Sequence, residues 1–206
     1  EFIPIAEDSG LILPIGDWVL NRACAEYARW NEAGYGETRF SVNLSSHQIG
    51  KGSLRDDIVR ALGEHNIDPS ALEVEVTEMS LIENQESVAL TLRELTKRGI
   101  GVSLDDFGTG FSTLAYLKSF PIDSVKIDQS FVRDMLVDSD DASITEAIIS
   151  IAEKFQLRVV AEGVELIEQR DFLSARGCHE MQGFLFSHAV PGDEFLKLLA
   201  AGPILR

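Results

Sequence analysis

The chain has 206 residues, 45% of them hydrophobic, which is enough apolar mass for one globular domain with a full core. Its 34 acidic against 18 basic residues give a formal net charge of -16, which excludes non-specific nucleic-acid binding and docking on anionic membranes, so an anionic substrate would need metal ions or a local basic residue. No apolar run reaches the roughly 20 residues of a membrane span, no signal peptide opens the chain, and Cys24 and Cys178 lack metal-ligand spacing and read as reduced core thiols, so a cytoplasmic place is expected.

The start, Glu1-Phe2-Ile3-Pro4, reads as mid-domain sequence. Pro14 suits a first helical turn, and Ile15, Val19, Ala23, Tyr27 and Trp30 recur at helical spacing until Gly34, predicting an amphipathic helix whose aromatics belong to the core. Phe40-Ser41-Val42-Asn43-Leu44 alternates as a strand does. Ser53 is expected to cap the next helix, with Leu54, Ile58, Val59 and Leu62 on its buried face, and Asp68-Pro69 ends that unit. Leu72 to Thr77 alternates strictly, and a helix opening at Asn84 carries Val88, Leu92 and Leu95 and closes at Gly99. Ile100 to Asp105 is the third strand, followed by a glycine loop, a short helix near residues 113 to 119 and a stop at Pro121. Ser124 to Ile127 is a short strand. A helix over residues 142 to 155 is expected to bury Ile144, Ile148, Ile151 and Phe155, and Arg158 to Ala161 is the fifth strand. Residues 166 to 175 read as a helix ended by Gly177. Met181 to Phe184 is the last strand, and Asp193 is expected to cap a terminal helix.

Alternating strands and helices predict parallel pairing through right-handed crossovers. Six strands leave two architectures open: an open doubly wound sheet, or a (β/α)8 barrel whose opening strands are absent. Either way it is α/β, and no linker or repeat marks a second domain.

Each strand carries a polar residue at or near its C-terminal end: Asn43, Glu75, Asp105, Lys126, Glu162 and Gln182. Their apolar neighbours must face the covering helices, so these six point the other way, toward the rim where barrels build active sites. Singly, each has a bland explanation. Asn43 or Gln182 could be a satisfied core amide, Glu73 and Glu75 a half-solvated strand face, and Lys126 a structural counter-ion to Asp105. Six coincidences, one per strand, weigh against that. Asp105-Asp106-Phe107-Gly108-Thr109-Gly110 ends a strand in paired acids and then turns flexible, with Asp105 closing the strand face and Asp106 opening a mobile loop. Asn43, Glu75, Asp105 and Asp106 form an oxygen-rich set suited to Mg2+ or Mn2+, with Lys126 and Glu162 adding a cation and a base. That chemistry suits hydrolysis of a phosphate ester by metal-activated water. No Ser-His-Asp or phosphate-loop pattern competes.

The segments Phe2-Ile3-Pro4-Ile5-Ala6-Glu7, Ser41-Val42-Asn43-Leu44-Ser45, Glu73-Val74-Glu75-Val76-Thr77-Glu78, Asp105 to Gly110, Lys126-Ile127-Asp128, Ala161-Glu162-Gly163-Val164-Glu165 and Gln182-Gly183 together resemble the EAL family of cyclic di-GMP phosphodiesterases, in the family's order and across almost the whole chain. The resemblance implies a (β/α)8 TIM-like barrel with about six of its eight strands present, and a reaction that opens cyclic di-GMP to linear 5'-pGpG with Mg2+ or Mn2+, two ions in all. By position it assigns Asn43, Glu75, Asp105, Asp106 and Glu162 to the metals; a two-ion site would set the ions about 3.5 to 4 Å apart around a shared aspartate, for which Asp105 is our choice. It assigns Lys126 to the attacking water, Glu162 to the base, Gln182 to the substrate rim and Glu78 to steadying the loop over residues 107 to 114. A homodimer and an adjoining sensor or GGDEF domain are further implications.

The family's Glu-Ala-Leu signature, with one metal-binding glutamate and a substrate-binding arginine, is expected upstream of Phe2, together with the first two strands. Residues 1–206 are therefore expected to be a single EAL-type domain lacking its N-terminal segment, impaired when alone. Ser187-His188-Ala189-Val190-Pro191 stands where the family commonly has a basic residue and an extra proline, so the resemblance does not carry contacts to the guanine bases over to this segment. A catalytically inactive cyclic di-GMP receptor is the alternative, which loss of acids from the metal set would favour; the acids covered here are retained.

Overall fold

In the computed structural model of the chain, residues 2–82, 85–110 and 114–202 are described, the side chains of 114–116 excepted. The predicted helix start at Asn84 and the glycine-loop residues 111–113 lie outside them. The chain divides into two compact units, Glu1–Ser103 with Lys118–Pro121 and Leu104–Leu117 with Ile122–Arg206.

The first unit opens with two helices, α1 (Ile3–Asp8) and α2 (Ile12–Trp30). The sequence pattern misses α1, whose single buried residue, Ala6, leaves too weak a stripe to see. Helix α2 starts two residues before Pro14, and its buried row is Ile12, Leu20, Cys24 and Tyr27 rather than the row through Val19, which is 39% exposed. Tyr27 fixes this rotation: its ring stacks on Phe40 at 4.8 Å and its hydroxyl donates to the Gly36 carbonyl at 2.8 Å. Gly34 lies in the π-turn Asn31–Tyr35 that follows α2 and has φ +95, a conformation that costs a residue without Cβ little.

Strand β1 (Phe40–Leu44) buries Phe40, Val42 and Leu44 and exposes Ser41 and Asn43, the alternation its sequence predicts. Helix α3 (Ser46–Gly50) follows at once, held by a capping box in which the Ser45 hydroxyl accepts from Gln48 N and Gln48 Oε1 accepts from Ser45 N. Helix α4 (Leu54–Glu64) buries Leu54, Ile58, Ala61 and Leu62 and exposes Val59. Ser53 precedes it without capping it: its backbone is already helical and its hydroxyl donates to Asp57 Oδ2 at 2.9 Å. Strand β2 (Leu72–Thr77) pairs parallel with β1 and sets Asn43 beside Glu75. Helices α5 (Glu78–Ile82) and α6 (Gln85–Thr96) follow; α6 buries Val88, Leu92 and Leu95 as its periodicity predicts.

Strand β3 (Gly101–Phe107) passes from the first unit into the second after Ser103. The remaining elements are α7 (Leu114–Ser119), β4 (Ser124–Ile127), α8 (Gln129–Asp134), α9 (Ser139–Phe155), β5 (Arg158–Ala161), α10 (Ile167–Ser174), β6 (Glu180–Met181) and α11 (Gly192–Ala201). Helix α9 buries Thr145, Ile148, Ile149 and Ala152, so Ile144 and Phe155, expected in the core, are exposed. Strand β6 is shorter than the apolar run suggests, because a turn closes on Gly183, whose carbonyl accepts from Phe186 N and Ser187 N. At α11 the N-cap is Pro191, and Asp193 lies in the first turn, where its charge favours the positive end of the helix dipole.

The six strands pair in chain order, β1 to β6, and β1–β2, β4–β5 and β5–β6 are parallel. A doubly wound sheet reverses its order at a switch point; a sequential order is that of a (β/α) barrel. Cys24 and Cys178 are free and buried, and burial pushes both thiols up to about 11. No described helix is long and apolar enough to cross a membrane.

Candidate active site

In the second unit, four successive strand ends, those of β3 to β6, are joined side chain to side chain. All four residues of β4 are buried, and Val125 and Ile127 occupy the face opposite to Lys126. The Lys126 ammonium, on a residue 5% exposed, lies 2.5 Å from Glu162 Oε1 and 3.4 Å from Asp105 Oδ1. Glu162 follows β5 directly, and its own N–H donates to the Ile127 carbonyl at 3.1 Å, which locks its strand end to that of Lys126. Gln182 follows β6 in the same manner: its N–H donates to the Ala161 carbonyl at 2.8 Å and its Nε2 donates to Glu162 Oε1 at 2.7 Å. A nearly dry ammonium is tolerated here because two carboxylates share it.

Asp105 and Asp106 diverge. Asp105 faces Lys126, and its Oδ1 also accepts from Asp106 N at 3.1 Å. Asp106 does not open the loop: β3 continues to Phe107, and Asp106 lies inside it with φ +54. That left-handed kink, uncommon outside glycine, turns two adjacent carboxylates away from the alternation a regular strand imposes. The Asp106 carbonyl accepts from the Thr109 hydroxyl at 2.8 Å and from Thr109 N at 3.3 Å, and Gly108 has φ +100 with a Cβ position only 3.0 Å from Ile148 Cδ1.

The Asp106 carboxyl is held above the ordinary carboxylate range, first by lost solvation and then by the charges of Asp105 and Asp128; Lys126 pulls the other way. A carboxyl raised in the folded state adds stability below its unfolded value and loses it as pH rises through the folded one. Asp106→Asn, which removes the charge and tolerates positive φ, should therefore raise the melting temperature of the metal-free protein at pH 7. The gain should vanish below about pH 3.9, the ordinary Asp value. A melting series across that range in which the variant is less stable at pH 7 would contradict the reading.

In the first unit, Asn43 and Glu75 are register partners on β1 and β2; Asn43 is exposed and Glu75 is 7% exposed. Glu73 and Glu75 are both buried, so the half-solvated face that alternation allowed is not what forms. Gly101 accommodates Glu73, since a Cβ there would come within 3.2 Å of Glu73 Oε2. Glu78 is buried at the start of α5. Of the residues singled out in the sequence, the structure thus gathers Asp105, Lys126, Glu162 and Gln182 in the second unit and pairs Asn43 with Glu75 in the first.

These donors are hard oxygens with an excess of negative charge, and by type and charge they fit a divalent cation such as Mg2+ or Mn2+. Among the described residues, no group of three or more His, Cys, Asp or Glu side chains is drawn together as a metal cage. The Lys126 ammonium instead engages oxygens of Asp105 and Glu162.

Asp128 bears on the site and was not assigned a role from the sequence. It caps α8, accepting from Ser130 N at 3.0 Å and from the Ser130 hydroxyl, and its charge reaches Asp106. The Asp-x-Ser spacing is a visible signal for the cap; its reach to Asp106 is not.

A family model described as "EAL domain" matches residues 1–189. The bifunctional diguanylate cyclase/cyclic di-GMP phosphodiesterase MucR of Pseudomonas aeruginosa is 40% identical over 97% of the chain, which covers 29% of that protein. The cyclic di-GMP phosphodiesterase NbdA of the same organism is 41% identical over 100% of the chain, covering 27% of its length. A solved structure described as PaMucR phosphodiesterase in a c-di-GMP complex superposes with a TM-score of 0.91 at 41% identity, covering 94% of this chain and 78% of that one.

Proposed function

The chain belongs to the EAL domain family, and from that premise we propose that the protein carrying it is a phosphodiesterase that hydrolyses cyclic di-GMP to linear 5'-pGpG in the cytoplasm. The observation that carries this reading is the buried Lys126 set between Glu162 at 2.5 Å and Asp105 at 3.4 Å, with Gln182 on the same Glu162 oxygen. Residues 1–206 are read as one EAL-type domain.

Asn43, Glu75, Asp105, Asp106 and Glu162 are the residues that would hold the metal, with Asp105 as the shared ligand if two ions bind. Bound divalent ions supply charge stabilisation at the phosphoryl oxygens and a more acidic water. The chain's own groups do the rest. Lys126 donates to the attacking water and holds it against the phosphorus. Glu162 Oε takes the water's proton as the new P–O bond forms, and Gln182 Nε2 keeps that carboxylate aimed at Lys126. The P–O3' bond breaks, and the 3' oxygen leaves with a proton from solvent. The product is a linear dinucleotide with a 5' phosphate.

Because the chain covers under a third of the MucR and NbdA lengths, an adjoining cyclase or sensor domain is part of the proposal, as is a homodimer. Metal dependence tests the reading. After dialysis against a chelator, the natural full-length protein should lose turnover of cyclic di-GMP and regain it with Mn2+ or Mg2+. Nucleotide binding that persists without metal, with no turnover on adding it back, would favour the receptor role instead.

A further inference from the structure

Helix α10 begins five residues after Glu162, and the amide of Gln169 in its first turn is buried at 3% exposure. Gln169 Oε1 accepts from Glu165 N at 2.8 Å and Leu166 N at 2.9 Å, in the loop that follows Glu162. Its Nε2 donates to the Val132 carbonyl at 2.9 Å and the Arg133 carbonyl at 3.4 Å, on the helix that follows Lys126. Every donor and acceptor of this amide is therefore spent on joining the segment after Glu162 to the segment after Lys126. The same two segments touch once more, at Gly163, whose φ of +68 and missing Cβ let the loop lie against Gln129 at the start of α8, where a Cβ would come within 2.6 Å of Gln129 Cβ.

The Gly163 contact alone would suffice to pack the loop on the helix; the amide, buried and using all four hydrogen bonds, also fixes how far the β5 end stands from the β4 end. We infer that Gln169 is a positioning residue: it holds the loop after Glu162 on α8 and thereby sets the Lys126–Glu162 separation. It touches neither partner and needs no substrate contact. The kinetic part of this inference rests on the phosphodiesterase reading; the structural part does not.

Gln169→Glu separates the brace from the helix cap. The carboxylate still accepts from Glu165 N and Leu166 N, but it meets the Val132 and Arg133 carbonyls with lone pairs instead of N–H groups. In a crystal structure of the natural full-length variant, Lys126 Nζ and Glu162 Oε1 should stand more than about 4 Å apart, beyond direct pairing. In the assay, kcat for cyclic di-GMP should fall roughly tenfold to a hundredfold with KM little changed, and the pH–rate profile should shift, because a displacement of about 1 Å at reacting groups costs that much. A merely structural role would lower the melting temperature and leave kcat per folded molecule and the pH profile in place. If Gln169→Glu does not fold, Gln169→Asn, which keeps the amide but is one methylene short of Val132, carries the same expectations. A direct Lys126–Glu162 pair retained in the folded variant overturns the inference. If the parent protein turns over no cyclic di-GMP, the functional reading fails, while the measured distance still decides the brace.

Discussion

Replacing Lys126 by alanine in the natural full-length protein should lower kcat for cyclic di-GMP by roughly 10²- to 10⁴-fold while KM changes little, measured at saturating Mn2+. The size follows from what the ammonium does. It lies between Glu162 and Asp105 on side chains 16% and 13% exposed, so no bulk water can replace it quickly as a donor. Lys126→Arg should not rescue, because a planar fork cannot sit where a compact ammonium meets one carboxylate at 2.5 Å and another at 3.4 Å. The same alanine leaves two carboxylates without their cation, and truncating one partner of a buried pair costs about 3 to 5 kcal/mol. A lower melting temperature is therefore expected too, and circular dichroism should precede the kinetics. A folded variant with unchanged kcat would reduce Lys126 to the counter-ion of Asp105.

Glu162→Gln is the second large effect and separates two roles of one carboxylate. The amide keeps the size and can still bond to Gln182 after a flip, but it cannot take a proton or pair with Lys126 as a charge. Loss of the base alone predicts a kcat deficit of roughly 10²- to 10⁴-fold that added Mn2+ does not repair. Loss of a metal ligand predicts a deficit that shrinks as Mn2+ rises. Titrating the variant with Mn2+ distinguishes them, and activity at parent levels without excess metal would remove Glu162 from both roles.

Three strands were legible from polar/apolar alternation, Phe40–Leu44, Leu72–Thr77 and Ser124–Ile127, and Arg158–Ala161 from a short apolar run after a helix. All four form where the sequence places them, and in the first three the polar residue presented at or near the end follows from the same alternation. The helix faces were less so. Val19, Val59, Ile144 and Phe155 are apolar and correctly spaced, yet they are exposed, because neighbouring residues such as Cys24, Ala61 and Thr145 take the buried stripe. Spacing alone does not reveal a rotation of one residue about a helix axis. Short elements, α1, α3, α5 and α8, carry too few turns for a period to show. Within the site, the residue types pointed to Lys126, Glu162 and Gln182, but their mutual distances come only from the fold. The kink at Asp106 and the bracing amide of Gln169 depend on partners 3 to 37 positions away and leave no local trace.

The central claim is that the cluster around Lys126 opens a phosphodiester of cyclic di-GMP. Chromatography of the nucleotides after incubating the natural full-length protein with cyclic di-GMP and Mn2+ tests it most directly, with Lys126→Ala run in parallel. Conversion to 5'-pGpG by the parent protein and near-complete retention of cyclic di-GMP by the variant are expected. Unconverted cyclic di-GMP in both, from folded protein that still binds the nucleotide, would contradict it.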